Sequence, residues 1–292
     1  MKNPRPSAQF SLQRLFTAPP GTDVILPVTR ALAVFILPFL IAAAALLYLW
    51  PAATEQTFAW TIQSSMTAMM LGAAYLGGMV FFTQAARARR WHAIKVGFWP
   101  VICFAGLLGV ATLLHWDRFN HSHISFITWA VLYFTTPFLV ALIWFLNRSQ
   151  DLPPAQYQGP LLPRPLRLVL AGVGLVTLLI SLVLFVSPQL MIGLWPWALT
   201  PLTARVMGAM FALPGLVGLG IAADPRWSSA RIILQSQAFS ILMILLAAAR
   251  AWGEFNPANP AAWLFCGGLA GLFALILWLY IAMELRARRP NS

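Results

Sequence analysis

Eight runs of apolar residues, each about as long as a membrane-spanning helix, alternate with short polar stretches along the chain. The runs cover residues 29–50, 57–83, 96–115, 124–146, 166–186, 199–222, 231–249 and 261–283. About 20 residues in an α-helix cross a hydrocarbon layer of about 30 Å. A helix also satisfies its backbone polar groups internally, which an apolar medium requires. The pattern therefore predicts an all-α integral membrane protein with eight transmembrane helices that contact the lipid bilayer.

Composition agrees with this prediction. The chain has 292 residues, of which 60% are hydrophobic and 9% are charged. Soluble domains carry about 25% charged residues, so this chain lies outside their range.

The basic residues are concentrated in alternate loops. Sixteen of the 19 Lys and Arg residues lie in the two termini and in the loops after the second, fourth and sixth runs. The positive-inside rule then places both termini in the cytoplasm, in a multi-pass protein of the cell membrane. The net charge of +12 thus indicates topology and attraction to anionic lipid headgroups on the cytoplasmic side, and not nucleic-acid binding. Arginine outnumbers lysine 17 to 2, a coding bias that favours a bacterial source.

The chain also resembles itself at an offset of 136 residues. The superposed pairs are Thr67-Ala68 with Thr203-Ala204, Gly72-Ala73 with Gly208-Ala209, Arg90-Trp91 with Arg226-Trp227, Trp116 with Trp252, and Phe119-Asn120 with Phe255-Asn256. Because tryptophan is rare, two coincident tryptophan pairs predict an internal duplication. Each half then has four spans and enters the membrane in the same sense. This predicts two tandem four-helix repeats in parallel orientation, related by a pseudo-twofold axis along the membrane normal.

Domain boundaries follow from the runs and the duplication. They are a cytoplasmic N-terminal segment 1–28, a first membrane repeat 29–148, a cytoplasmic linker 149–165, a second membrane repeat 166–284 and a basic cytoplasmic tail 285–292. The repeated small residues at 67–73 and 203–209 predict that spans two and six pack together near the axis. The repeated Arg-Trp pairs predict anchors at headgroup level, and His92, which has no clustered partner in the sequence, is interpreted as interfacial.

Polar groups inside apolar spans are the first candidates for function in a membrane protein. Arg205 lies near the outer end of the sixth span, where the first half has Met69, and Glu254 is a candidate loop partner. Three amides are further candidates for a ligand or ion pathway, namely Gln63, Gln235 and Gln237. The alternatives are that Arg205 extends to the headgroups and that the amides only join helices.

The loop after the third span holds three of the four histidines of the chain. His115, Asp117, His121 and His123 lie within nine positions, and imidazoles with a carboxylate can bind zinc or copper. The corresponding loop of the second half has no histidine, which favours a solvated turn over a metal site.

Three hypotheses of function remain open. The first is a permease-like or small-molecule-binding protein with a site between its halves near Arg205, for which the expected role is transport or binding. The second is a non-catalytic structural or assembly subunit with membrane-protein partners. The third is an outward-facing metal or enzyme site in the histidine loop. The sequence lacks the phosphate-binding, HExxH, GxSxG and CxxC patterns, which disfavours an enzyme and leaves the cofactor unknown.

Overall fold

The computed structural model describes residues 13–288, and this part of the chain contains eight helices long and apolar enough to cross a membrane. They are α1 (Pro27–Leu49), α2 (Ser65–Arg87), α3 (Lys95–Leu114), α4 (Ile124–Gln150), α5 (Arg164–Val186), α6 (Pro201–Ala223), α7 (Trp227–Arg250) and α8 (Pro260–Ala287). The described residues contain no β-strand. The predicted fold class, all-α with eight spans, is confirmed, and the chain is a polytopic membrane protein. The predicted segments 1–28 and 285–292 extend outside the described residues.

The start of α2 differs from the sequence prediction. The apolar run was predicted to become helical at residue 57, but the helix begins at Ser65, after the side chain of Ser64 accepts a hydrogen bond from the Thr67 N–H as an N-cap. The preceding residues 58–62 are not helical, and Trp60 and Phe58 among them are buried. Hydropathy alone cannot separate such a buried loop from a span, because both are apolar.

The helices of the first half and those of the second half make corresponding contacts. Within the halves, α1 packs on α2 and α3 on α4, and likewise α5 packs on α6 and α7 on α8. Between the halves, α2 packs on α7 and α3 packs on α6. The direct contact between α2 and α6 is small. The two halves are therefore joined mainly by two pairs of helices, each with one helix from either half.

The repeated small residues act within each half. A Cβ on Gly72 would lie 3.0 Å from the Cβ of Tyr48 in α1, and a Cβ on Gly208 would lie 2.9 Å from the backbone oxygen of Ser181 in α5. The predicted packing of spans two and six through these faces is therefore wrong. Glycine lets a neighbouring backbone approach closely, and here it serves the α1–α2 and α5–α6 contacts.

The loops gather at two opposite ends of the bundle. One end, the aromatic face, is formed by residues 50–64, 115–123, 187–200 and 251–259. Two backbone hydrogen bonds join these loops, from the Asn120 N–H to the oxygen of Ala59 and from the Asn256 N–H to the oxygen of Pro196. The other end, the basic face, is formed by residues 17–26, 88–94, 151–163 and 224–226. At the basic face Trp91 and Arg226 are each 1% exposed. Trp91, Arg226 and Trp227 are therefore core residues there and not the predicted headgroup anchors, whereas Arg90 is exposed.

We predict that Gly174→Ala destabilises the protein by about 1–3 kcal/mol, because the added methyl group forces α5 and α6 apart. A Cβ at this position would lie 2.7 Å from the backbone oxygen of Gly215 and 3.2 Å from the Cα of Gly218, and backbone atoms cannot move aside cheaply. Unfolding by heat or by denaturing detergent, followed by helical circular dichroism, measures the change.

Gly172→Ala is the matched control, since it lies one half-turn away on the same helix and a Cβ there meets no atom within 4 Å. It should leave the unfolding midpoint unchanged or raise it slightly, because alanine favours helix over glycine. Equal midpoints for the two variants would contradict the close packing of α5 on α6.

Candidate functional site

A cavity of about 200 Å³ lies between the two halves of the bundle. Its walls come from α1 to α4 on one side and from α6 to α8 on the other, and no charged side chain lines it. The lining residues of α2 run from Met70 to Phe82, and those of α3 from Gly97 to Ala105. Since α2 ends and α3 begins at the basic face, the cavity extends from the middle of the bundle toward that face.

A few polar atoms interrupt the apolar wall. The hydroxyls of Tyr75 and Tyr133 lie 2.5 Å apart and hydrogen-bond each other. On α7, the hydroxyl of Ser236 donates to the backbone oxygen of Gly77, and that of Ser240 donates to the backbone oxygen of Ala73. The amide of Gln237 also faces the cavity and makes no hydrogen bond to other described residues. The cavity therefore suits a largely apolar molecule with at most one or two polar atoms.

Arg205 lies away from this cavity. It is in the second turn of α6 at the aromatic face, and one of its terminal nitrogens lies 2.7 Å from Nε2 of His115. Burial and the adjacent Arg205 guanidinium lower the pKa of His115, so a neutral imidazole accepts this hydrogen bond. The Nε of Arg205 is buried and has no partner among the described residues. The structure thus joins Arg205 to the histidine loop and not to the inter-half cavity.

Glu254 does not pair with Arg205. Its carboxylate accepts hydrogen bonds from the hydroxyl of Ser64 at 2.6 Å and from the Ser65 N–H at 2.9 Å. A negative charge stabilises a helix N-terminus, so this loop residue of the second half fixes the start of α2. Glu254 and Arg250 also border an open depression of about 290 Å³ on the aromatic face.

The predicted amides lie in three different places. Gln63 is exposed at the aromatic face. Gln235 donates to the hydroxyl of Tyr280 and joins α7 to α8, while Gln237 lines the cavity. These residues therefore do not form one pathway.

The four residues of the predicted metal site do not converge. His115 contacts Arg205, the ring of His121 stacks on Trp116, and His123 caps α4 by accepting from the Ser125 N–H. Asp117 is paired with Arg118 at the exposed surface. Within the described residues, no three His, Cys, Asp or Glu side chains are placed to hold a metal ion.

A partly buried ionic cluster joins both halves and the linker at the basic face. Lys95 lies 2.6 Å from an oxygen of Asp151 and 2.9 Å from an oxygen of Asp224. Arg226 contacts Asp224 at 2.6 Å and Asp151 at 3.0 Å, and also donates to the backbone oxygen of Leu152. Burial acts to raise the pKa of Asp224, but hydrogen bonds from Arg226 and Lys95 outweigh it and hold that pKa well below its usual value. The cluster fixes the linker across the end of the bundle.

A second polar group at the basic face was missed by the sequence reasoning. His92 is 3% exposed, and its two ring nitrogens lie 2.5 Å from Oδ2 of Asp23 and 2.7 Å from the hydroxyl of Ser228. The interpretation of His92 as interfacial and without partners is therefore wrong. His92 and Ser228 are 136 positions apart, which is the offset that superposes the two halves. Their equivalence at this offset was the sequence signal that could have paired them.

Comparison with models of protein families, with characterised proteins and with solved structures finds no match for this chain.

We predict that Asp224→Asn destabilises the protein by about 3 kcal/mol at pH 7, since it leaves Arg226 buried with one partner fewer. The folded-state pKa of Asp224 lies below the ordinary value. The stability that the carboxylate contributes is therefore complete above the ordinary aspartate pKa of about 3.9 and is lost as the pH falls through the lower, folded value. Unfolding midpoints of both proteins between pH 7 and pH 3 test this.

The difference in unfolding midpoint between the unaltered protein and Asp224→Asn should narrow as the pH falls toward 3. Asp117→Asn is the control, because the Asp117 side chain is 76% exposed in its pair with Arg118 and exposed pairs contribute little. A constant gap across the whole pH range would show that the ionised form of Asp224 is not what stabilises the fold.

Proposed function

We propose that this membrane protein binds a small, mostly apolar molecule in the cavity between its two halves. The observation that carries the proposal is the cavity itself, of about 200 Å³ and lined by seven of the eight helices. A dry apolar cavity of about 150 Å³ accommodates a single aromatic ring, so this one has room for a molecule of that size or somewhat larger. Ligand sites between helices and between the halves of a bundle are common in membrane proteins.

The chemistry of the wall defines the ligand class. Phe81, Phe104 and Met70 line the cavity, and such side chains contact aliphatic or aromatic carbon. The free amide of Gln237 and the paired hydroxyls of Tyr75 and Tyr133 offer hydrogen bonds to one polar group. An uncharged hydrocarbon ring or short chain with a single hydroxyl or carbonyl oxygen fits this pattern. The proposal is therefore binding rather than ion transport.

The tandem repeat is part of the proposal. It is supported by the corresponding contacts in the two halves and by matching details at their ends. The Trp91 N–H donates to the backbone oxygen of Asp23, and its counterpart, the Trp227 N–H, donates to that of Pro160. The backbone N–H groups of Asn120 and Asn256 likewise donate to backbone oxygens of the loops that precede α2 and α6. A site between two such halves lies near their pseudo-twofold axis, where parallel-repeat proteins hold small ligands.

The orientation is proposed from charge. The basic face collects the arginine-rich loops of the chain, which the positive-inside rule places in the cytoplasm. The aromatic face, with Trp50, Trp116 and Trp263 exposed, then lies at the opposite membrane surface. Under this orientation the cavity is in the cytoplasmic half of the membrane, and anionic headgroups surround the basic face.

We predict that a small aryl diazirine, activated by light in the detergent-solubilised protein, labels the cavity walls saturably. Peptides containing residues 70–82, 97–105 and 233–244 should carry label that unlabelled toluene displaces, because the cavity has a limited capacity. Labelling of the lipid-facing surfaces should instead rise in proportion to the concentration of the probe. Peptide mass spectrometry locates and quantifies the label.

Ala105→Phe should abolish the displaceable label, since this residue lines the cavity and the larger side chain fills it. Gly106→Phe is the matched control, as a side chain there enters open space, and it should keep the label. Label confined to the outer surfaces, or displaceable label that survives Ala105→Phe in folded protein, would refute the proposed site.

A further inference from the structure

Three side chains at the basic face form a hydrogen-bonded chain from acid to imidazole to hydroxyl. Oδ2 of Asp23 lies 2.5 Å from Nδ1 of His92, and Nε2 of His92 lies 2.7 Å from the hydroxyl oxygen of Ser228. The other carboxylate oxygen of Asp23 accepts the backbone N–H of His92 at 2.9 Å. This is the geometry in which a carboxylate orients an imidazole and the imidazole activates a hydroxyl. It is separate from the inter-half cavity, whose wall includes none of these residues.

The protonation state of this chain follows from its surroundings. Burial acts to raise the pKa of Asp23, but the side-chain and backbone hydrogen bonds from His92 outweigh it and hold that pKa below its usual value. An ionised carboxylate has no proton to donate, so Nδ1 of His92 must be the donor. In the neutral imidazole this leaves Nε2 as the acceptor, directed at the proton of Ser228. The tautomer is therefore the one that a general base requires.

Asp23 is held in an unusual backbone conformation. It has φ of 56° and is the only residue other than glycine with positive φ in the described part of the chain. Asp tolerates this left-handed region better than most residues. The backbone N–H of Asp23 donates to the oxygen of Gln150, and its own oxygen accepts from Trp91. These bonds fix the carboxylate against His92, so both are nearly inaccessible to water, at 3% exposure each.

Ser228 has the position of a nucleophile. It is the second residue of α7 and is partly exposed, whereas His92 is buried. A helix N-terminus stabilises a developing negative charge. The hydroxyl of Tyr157 accepts the Ser228 N–H at 3.4 Å and keeps its own proton available for a substrate oxygen. A carbonyl bound beside Ser228 would thus meet one donor for its oxyanion, the Tyr157 hydroxyl.

From this geometry we propose that Ser228 and His92 are catalytic residues, positioned by Asp23, that hydrolyse a carboxylic ester at the membrane surface. The substrate class follows from the location of the nucleophile. Ser228 lies in the first turn of a membrane-spanning helix, next to Trp227, at the boundary between the apolar core and the polar surface. The acyl ester bonds of glycerolipids lie at this same boundary, and water needed for hydrolysis is present there.

The reaction balances with water as the only second reactant. The Ser228 oxygen bonds to the ester carbonyl carbon while its proton moves to Nε2 of His92. The bond from that carbon to the alcohol oxygen then breaks, and the imidazolium returns the proton to the departing alkoxide. Water adds to the acyl-serine by the same route, its proton passing through His92 to the Ser228 oxygen, and a carboxylic acid is released.

The first experiment treats the full-length protein in mild detergent with a fluorophosphonate probe and maps the adduct by peptide mass spectrometry. The adduct is expected on Ser228 and should be lost in Ser228→Ala. Ser229→Ala is the matched control, because Ser229 is adjacent but its hydroxyl donates to Asp224. His92→Gln should slow labelling by about 100-fold or more, which is the usual contribution of a general base. An unlabelled Ser228 in folded protein, or a rate unaffected by His92→Gln, would overturn the proposal.

The role of Asp23 needs a readout that a purely structural residue would not change. Asp23→Asn should slow labelling more than Asp23→Glu does, because only the carboxylate of Glu restores the tautomer of His92. The unaltered protein should cleave p-nitrophenyl esters of increasing chain length. The cleavage rates of the variants should follow the same order as their labelling rates. Equal rates for Asp23→Asn and Asp23→Glu would overturn the positioning role.

Ser228→Cys provides a test that does not depend on the stability of the histidine variant. A thiol held by an imidazole is converted to the reactive thiolate, whereas a free thiol has a pKa of about 8.5. The rate at which iodoacetamide modifies Ser228→Cys should therefore change little between pH 8 and pH 6, while an unactivated thiol slows by roughly 100-fold over that range. The substitution is nearly isosteric and should leave the thermal transition in place. A rate that falls as for an unactivated thiol would show that His92 does not activate position 228 and would overturn the proposal.

Discussion

The contact of α7 with α2 across the two halves is the interaction on which the rest of the structure depends. Lipid supplies no hydrophobic force that drives helices together, so packing and interhelical hydrogen bonds must do so. Here the hydroxyls of Ser236 and Ser240 donate to backbone oxygens of α2. A Cβ on Gly77 would lie only 2.8 Å from the Cβ of Ser240. The absence of a side chain at Gly77 therefore lets the two backbones approach and the two hydroxyls reach their acceptors.

This contact also accounts for the cavity. The α2–α7 and α3–α6 pairs each join one helix of either half, and the cavity lies directly beside the tight α2–α7 contact, since Gly77, Ser236 and Ser240 also line it. The cavity is further lined by Pro100 of α3 and Pro214 of α6, and proline lacks the N–H that would complete the helical hydrogen bonds. A space of this kind is a consequence of how the halves are joined.

The sequence predicted the helices well because their signal is local. Apolar runs specify seven of the eight spans to within a few residues, and the error at α2 came from Trp60 and its neighbours, which are apolar but not helical. The site was predicted poorly because its signal is not local. Residues that line the cavity, such as Leu40 and Ala105, have the composition of any lipid-facing helix, so only the three-dimensional crossing of helices identifies them.

The ungapped offset also concealed part of the proposed repeat. Trp60 packs on Phe119 and Trp129, and Trp197 packs correspondingly on Phe255 and Phe265. These two tryptophans are 137 positions apart, so one inserted residue removed them from the alignment at 136. The environments have nevertheless diverged, because the indole of Trp197 donates to Thr67 whereas the buried indole nitrogen of Trp60 has no partner among the described residues.

Such divergence matters most where equivalent positions meet each other. Under the proposed pseudo-twofold axis, a residue close to the axis contacts its own counterpart from the other half. His92 and Ser228 are such a pair, and they lie 2.7 Å apart. Two identical residues there would place two imidazoles or two hydroxyls together, and neither pair combines a base with a weakly acidic hydroxyl. Only a chain in which the two copies differ at this position, with Asp23 orienting the imidazole, brings all three functional groups together. A duplicated fold can thus acquire an acid, base and nucleophile set through single substitutions near its axis, without any change in how its helices pack.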